Sequence, residues 1–360
     1  MNFERSAGIT KHEKERNWEA PSLRELKETE NTFQQYQTEI ANFFRLALLD
    51  KIKYKTAELG FFSDAKTFFQ SPLIADENLF EQVSSVDEFF ELRKFRDRTM
   101  SANEKKRHDA AFEKFSSIDA TTEPRYKGEY AAAPKMRVPG AGTFLTNIYR
   151  SPNKQAMTLE DKRYRVNLAL THDISQFRVW TDLYESLCKN PELSKYGFDI
   201  KSLGNNRTDA IIIYCGENAL PAAITETGNY CLAEDIGHVS GVPFGVAPLA
   251  KDGKFEGLRV TSTPGDGFTF NDLQTTALLE ACEAVTRTFL KQTGSPKTFE
   301  EASTKDLEDL HAIIASKDPV LIRDLNRRYN IALRKICGTR AVDLHNLAFP
   351  TIKKAEDLEW

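Results

Sequence analysis

The sequence predicts an α+β protein: a helical N-terminal part, a mixed β-sheet domain flanked by helices, and a helical C-terminal tail. Three observations carry this reading. Apolar residues recur at three-to-four spacing through the first 120 positions, the mark of amphipathic helices. Alternating and short apolar segments, which suit strands, begin only near residue 160. Helical spacing then returns from Asn271 onward. The resulting order is a helical block, a sheet domain and a helical tail.

Residues 1–20 are polar and charged and are expected to form a disordered tail. From Leu23 to about Glu58, Leu26, Phe33, Tyr36, Ile40, Phe43, Ala47 and Leu48 share one face and predict a single long helix. Ser85 with Glu88, and Ser101 with Glu104, have the spacing of two capping boxes, each opening a further helix. The helical region is assigned to 21–125. The Pro-, Gly- and Ala-rich stretch TTEPRYKGEYAAAPKMRVPGAG marks its boundary. An α+β core follows over 126–295 and a helical extension over 296–360.

Within the core, Lys162–Leu170 alternates and predicts a strand. A helix near Ser175–Lys189 follows, then strands at Phe198–Lys201 and TDAIIIYC. A helix through ENALPAAITETGNYCL, the strand LRVTST and the helix Asn271–Lys291 complete it. Ile211, Ile212 and Ile213 form a near-continuous apolar run, expected with Leu168 in one sheet core. The tail Lys297–Arg340 reads as helical, with Asp306, Glu308 and Asp309 in an early acidic turn.

Composition excludes several functions. The net charge of -4 leaves no domain-wide basic excess for nucleic-acid phosphates. No apolar run reaches the roughly 20 residues of a membrane span. Five cysteines stand far apart without a CxxC pair, and six histidines are equally scattered, so no metal or other cofactor is expected. There is no Ser-His-Asp arrangement, GxSxG elbow, Walker loop or kinase signature.

What remains is a basic, polar set around two strands. Arg163 and Arg165 lie two apart and so share a sheet face, spaced to fork onto an oxyanion. The same pattern also suits a solvated face with cross-strand ion pairs. Arg207 and Asp209 share a parity at the approach to the isoleucine strand, where they pair with each other or serve a site. RVPGAGTF permits close backbone approach to a ligand but equally makes a plain turn.

These tools suit a phosphorylated substrate undergoing β-elimination. A lysine whose pKa is depressed by neighbouring arginines takes a carbon-bound proton while phosphate leaves. In that scheme Arg163, Arg165 and Arg207 bind phosphate, and Asp209 occupies their midst when phosphate is absent. Lys162 or Lys135 is the base, His172 the proton donor and Tyr214 a positioning hydroxyl.

At KRYRVNLAL, TDAIIIYCGENALPAAI, HVSGVPFGVAPLAKDGKFEGLRVTS and FNDLQTTALLEACEAV the chain resembles the HopA-type type III effectors of plant-pathogenic bacteria. The ordered series spans about 85–290. The resemblance implies delivery into host cytoplasm, a secretion chaperone at the N-terminal region, and action on a host immune-signalling protein. Related domains look like the phosphoserine/phosphothreonine elimination subunit of some lanthipeptide-type maturation systems, which implies a phosphorylated-peptide substrate. One departure is the late helix. Relatives carry an arginine there, whereas Leu273 to Thr276 offer no cation. The alternatives are a non-catalytic effector that binds proteins and a peptide-maturation lyase retained in the bacterium.

Overall fold

The computed structural model describes residues 20–28, 33–55, 62–95, 100–120, 147–150, 163–203, 207–236, 239–250, 253–264, 269–294 and 301–339. Its N-terminal helices are α1 (Leu23–Glu28), α2 (Gln37–Tyr54), α3 (Phe62–Gln70), α4 (Glu77–Phe80), α5 (Val86–Phe95) and α6 (Ala102–Ala120). Strands β1 (Asn147–Arg150) and β2 (Tyr164–Leu168) precede helices α7 (Gln176–Lys189) and α8 (Pro191–Tyr196). Then come β3 (Phe198–Ser202), β4 (Ile211–Cys215), α9 (Leu220–Ala233), the two-residue strands β5 (Leu249–Ala250) and β6 (Gly253–Lys254), and β7 (Leu258–Ser262). Helices α10 (Phe270–Gln292), α11 (Thr304–Ala315) and α12 (Pro319–Thr339) close the described chain.

The α+β architecture agrees with the sequence, with differences in detail. The single helix expected over Leu23–Glu58 is α1, a 3-10 turn at Phe33–Tyr36, and α2. Residues 29–32 of that stretch lie outside the described residues. The helical tail likewise divides at Ser316–Asp318, where Lys317 adopts a left-handed backbone with φ 53°. Asp306 there completes a capping box with Ser303. The predicted tail 1–20 lies almost wholly outside the described residues, as does the boundary region 121–142.

The main sheet has the order β1-β3-β4-β2-β7, and every pairing in it is antiparallel rather than mixed. Strands β2 and β3 do run the same way, as strands joined through helices do, but β4 inserts between them and opposes both.

Alternation gives this sheet two unlike faces. Val166 and Leu168 of β2, Phe198 and Ile200 of β3, Ile211 and Ile213 of β4, and Val260 of β7 pack with Trp180, Leu183 and Leu187 of α7 and Leu220 and Ile224 of α9. The other face carries Arg165, Asn167, Asp199, Lys201, Arg259 and Thr261, and lies under the helices. Ile212 belongs to that face, not with Ile211 and Ile213, because side chains in a strand alternate.

A second apolar core joins the two ends of the chain. Phe43, Phe44 and Phe68 from α2 and α3 meet Leu273 and Leu278 of α10, Leu310 of α11 and Leu325 and Tyr329 of α12. The loop Gly241–Gly245 pins this helical layer to the sheet. Phe244 is fully buried against Phe33, Tyr36 and Tyr329, with ring centroids 5.0–5.5 Å away. It does so at φ 62°, a backbone setting that a bulky side chain holds only when its surroundings enforce it. Glycine is needed at 241, since a Cβ there would sit 2.4 Å from Arg259 Cγ.

The two capping boxes form by half. Ser85 and Ser101 accept from the Glu88 and Glu104 backbone N–H groups at 3.2 and 3.1 Å. The Glu88 carboxylate turns instead to Ser84. That of Glu104 accepts from the Ser175 N–H at 2.8 Å and from Arg178 Nε at 2.9 Å, tying α6 to the start of α7.

Candidate anion-binding site

The strand register lays the polar face out as two rows. One reads Thr261, Arg165, Tyr214, Asp199, and the next reads Arg259, Asn167, Ile212, Lys201. Asn167 stitches the face together, donating to Thr261 Oγ1 at 3.0 Å and to the Arg259 carbonyl at 3.2 Å.

Asp209 is the centre of the charged part. Its residue is 1% exposed, and Arg207, itself 8% exposed, donates from Nε to Oδ1 at 2.8 Å and from Nη2 to Oδ2 at 3.2 Å. Asn271, in the first turn of α10, donates to Oδ2 at 2.9 Å. Arg165, 4% exposed, brings Nη2 to 3.7 Å from the same oxygen and stacks its guanidinium 5.7 Å above the Tyr214 ring. Burial pushes the Asp209 carboxyl up, but Arg207, then Arg165 and Lys201, pull harder and leave it below the usual carboxylate range.

The arginines are not equivalent. Arg207 spends two donors on Asp209, whereas Arg165 Nε has no hydrogen-bond partner among the described residues. The Thr208 and Thr275 hydroxyls are also buried without one. The Thr208 N–H donates to the Gln70 carbonyl at 2.7 Å, fastening the approach to β4 onto the last residue of α3.

Lys201 is the basic group of the face. Burial lowers its pKa to about 8, with Arg165, Arg207 and Lys66 adding and Asp209 opposing. A large fraction of it is therefore neutral in mildly alkaline solution, as a general base requires.

Of the residues picked out from sequence, Arg165, Arg207, Asp209 and Tyr214 come together here. Arg163 is exposed just before β2, its carbonyl accepting from the Thr263 N–H at 2.8 Å, so Arg165 converges with Arg207 rather than with Arg163. His172 is half-buried in the turn before α7 and takes no part in these contacts. Lys162 and Lys135 lie outside the described residues.

Lys201, Asn271 and Lys66 were not foreseen. The first had a signal: in FDIKS, Asp199 and Lys201 alternate with Phe198 and Ile200, so both charges share the non-core face. Nothing local marked the other two, which arrive on separate helices.

Among the described residues no group of three His, Cys, Asp or Glu is placed to hold a metal, and no helix is long and apolar enough to cross a membrane. No family model, curated protein or solved structure matches the chain.

Proposed function

We propose that the polar sheet face binds the phosphoryl group of a phosphorylated serine or threonine side chain and eliminates it. The observation that carries this reading is the meeting of Arg165, Arg207 and Asp209 beside Lys201, an amine with its pKa lowered to about 8. A guanidinium held edge-on is suited to oxyanions, and an amine depressed by burial and adjacent cations is suited to removing a proton from carbon.

In the reaction Lys201 Nζ takes the Cα proton of the phospho-residue. The C–H electron pair becomes the Cα=Cβ double bond, and the Cβ–O bond breaks. The bond's electron pair stays on the phosphate oxygen. The phosphate leaves toward Arg165, taking a proton from the half-buried Tyr214 phenol, so that a dianionic ester departs as hydrogenphosphate. The Lys201 ammonium and Tyr214 phenolate then exchange their protons with solvent. The products are a dehydroamino acid and phosphate, with no water consumed.

The setting in which this happens rests on the sequence resemblance. On it, the substrate is a phosphorylated host signalling protein reached through a type III apparatus, and the precursor of a maturing peptide is the alternative. A phosphothreonine peptide tests the chemistry common to both. Wild type is expected to bind it and release phosphate with an alkene left on the peptide, and Arg165→Ala and Lys201→Met to lose turnover. Equal, undetectable binding by wild type and Arg165→Ala would reduce the network to a structural one.

A further inference from the structure

Folded proteins leave few buried polar atoms without a partner, so a group of them is a place for water or for a ligand. Arg165 Nε, Asn271 Oδ1 and Thr275 Oγ1 are all buried and make no hydrogen bond among the described residues. They belong to one neighbourhood. Arg165 Nη2 and Asn271 Nδ2 share the Oδ2 oxygen of Asp209, at 3.7 and 2.9 Å. Thr275 stands one turn beyond Asn271 on the same face of α10.

The two α10 side chains are set apart by more than burial. A threonine inside a helix commonly returns its hydroxyl to the carbonyl four residues back. Thr276, Thr286 and Thr288 of α10 do so at 2.8–3.0 Å. Thr275 is fully buried and does not. The orientation of Asn271 is dictated by its partner. An ionised Asp209 only accepts, so the amide nitrogen must face it and Oδ1 is left as a buried acceptor.

The unengaged groups are therefore two donors and one acceptor. A phosphate dianion satisfies Arg165 Nε and the Thr275 hydroxyl but has no proton for Asn271. A ligand that satisfies all three carries an N–H beside its phosphoryl group, as the backbone amide of a phosphorylated residue does. We propose that α10 supplies an uncharged wall of the binding site: the Thr275 hydroxyl donates to a phosphoryl oxygen, and Asn271 Oδ1 accepts the backbone N–H of the phospho-residue. This rests on the phosphate-site reading above. Attachment at both points restrains the Cα between them, the carbon whose proton Lys201 takes.

The test is calorimetric titration of a phosphothreonine peptide into wild type, Thr275→Val and Thr275→Ser, with denaturation midpoints of the free proteins. Thr275→Val should weaken binding about ten- to a hundredfold, the worth of one hydrogen bond to a charged group. Its midpoint should be unchanged or higher, because the hydroxyl it removes is buried without a partner. Thr275→Ser, which keeps the hydroxyl, should retain most of the affinity. Methylating the phosphothreonine amide nitrogen of the peptide should weaken binding to wild type about two- to tenfold, the worth of a neutral hydrogen bond. Methylation at the following residue should not.

If wild type binds and Thr275→Val binds equally, the phosphate site stands and the role of α10 falls. A lower midpoint in Thr275→Val would make the hydroxyl a structural group satisfied by water and also overturn the proposal. Equal binding of the peptides methylated at the two positions would remove Asn271 from it. No binding by wild type removes both readings.

Discussion

The two faces of the sheet are both largely buried and are built on opposite principles. Toward α7 and α9, Val166, Ile200, Ile213 and Val260 meet aliphatic and aromatic side chains, and these aliphatic groups need no polar partner. Toward the helical layer, Arg165, Asp199 and Asp209 are buried just as deeply, and each is an ionisable side chain. Water released from apolar surface stabilises the first face without directional demands. The second is tolerable only while every charge keeps its partner, because burying polar groups unpaired is costly. The fold thus places its expendable contacts on one side and its specific ones on the other. A protein that needed only stability would gain by making both faces like the first.

Breaking the comparison at its strongest point gives the largest effect. Arg207→Leu leaves Asp209 with Arg165 at 3.7 Å and Asn271 in place of a bidentate partner. Removing one member of a buried ion network costs about 3–5 kcal/mol, and denaturant melts should show a loss of that size. A loss under about 1 kcal/mol would mean that water reaches this face freely and that the two faces are not comparably buried.

Adjacent isoleucines sharpen the same comparison. Ile213→Ala on the apolar face should cost about 2–5 kcal/mol, the range for large-to-small changes in a close-packed core. Ile212→Ala, against Lys201 and Asn167, should fall at the low end of that range, since its polar neighbours can relax into the space. Equal losses would show that Ile212 packs as tightly as Ile213 despite its setting.

The pH dependence separates the faces by sign. Lys201 has a folded pKa of about 8, below the roughly 10.4 of an unfolded lysine. Between those values the unfolded chain binds more protons, so the contribution of this residue to stability rises with pH across that window and is flat below it. Lys201→Met should abolish that rise and be more stable than wild type near neutrality. Denaturant midpoints from pH 7 to 10 for both proteins measure it, and parallel curves would leave Lys201 an ordinary solvated amine.

How far the sequence disclosed this depends on range. Strand β4 announced itself through three consecutive isoleucines, and the alternation of Tyr164, Val166 and Leu168 located β2. Arg207 and Asp209 were legible as a pair because both stand two apart on one chain segment. Strand β1 left no trace in the sequence reading, since four residues of edge strand carry too little pattern. Asn271 and Lys66 were invisible for a different reason: their roles come from α10 and α3 docking over the sheet. Glu104 shows the limit within a motif. Its spacing from Ser101 is that of a capping box, but the buried Arg178 and the N–H of Ser175, the residue just before α7, compete for the carboxylate and win.

The smallest expected effect is also the one that most directly judges the sequence reading. Arg163 and Arg165 looked equivalent, two residues apart on one face of one strand. Only Arg165 lies within the ladder, where its neighbours are Tyr214 and Thr261. Arg163 precedes the strand, is exposed, and contributes its backbone carbonyl to the Thr263 N–H, an interaction that survives any side-chain change. Arg163→Ala should therefore alter stability by no more than about 0.5 kcal/mol, as exposed positions do. It should also leave phosphopeptide affinity within about twofold at physiological salt, where screening extends over only about 8 Å. The same substitution at position 165 removes the guanidinium whose Nε is unengaged and should abolish binding. Should Arg163→Ala lose affinity to the same degree, the fork would lie along β2 after all, and Arg207 would be a structural partner of Asp209 alone.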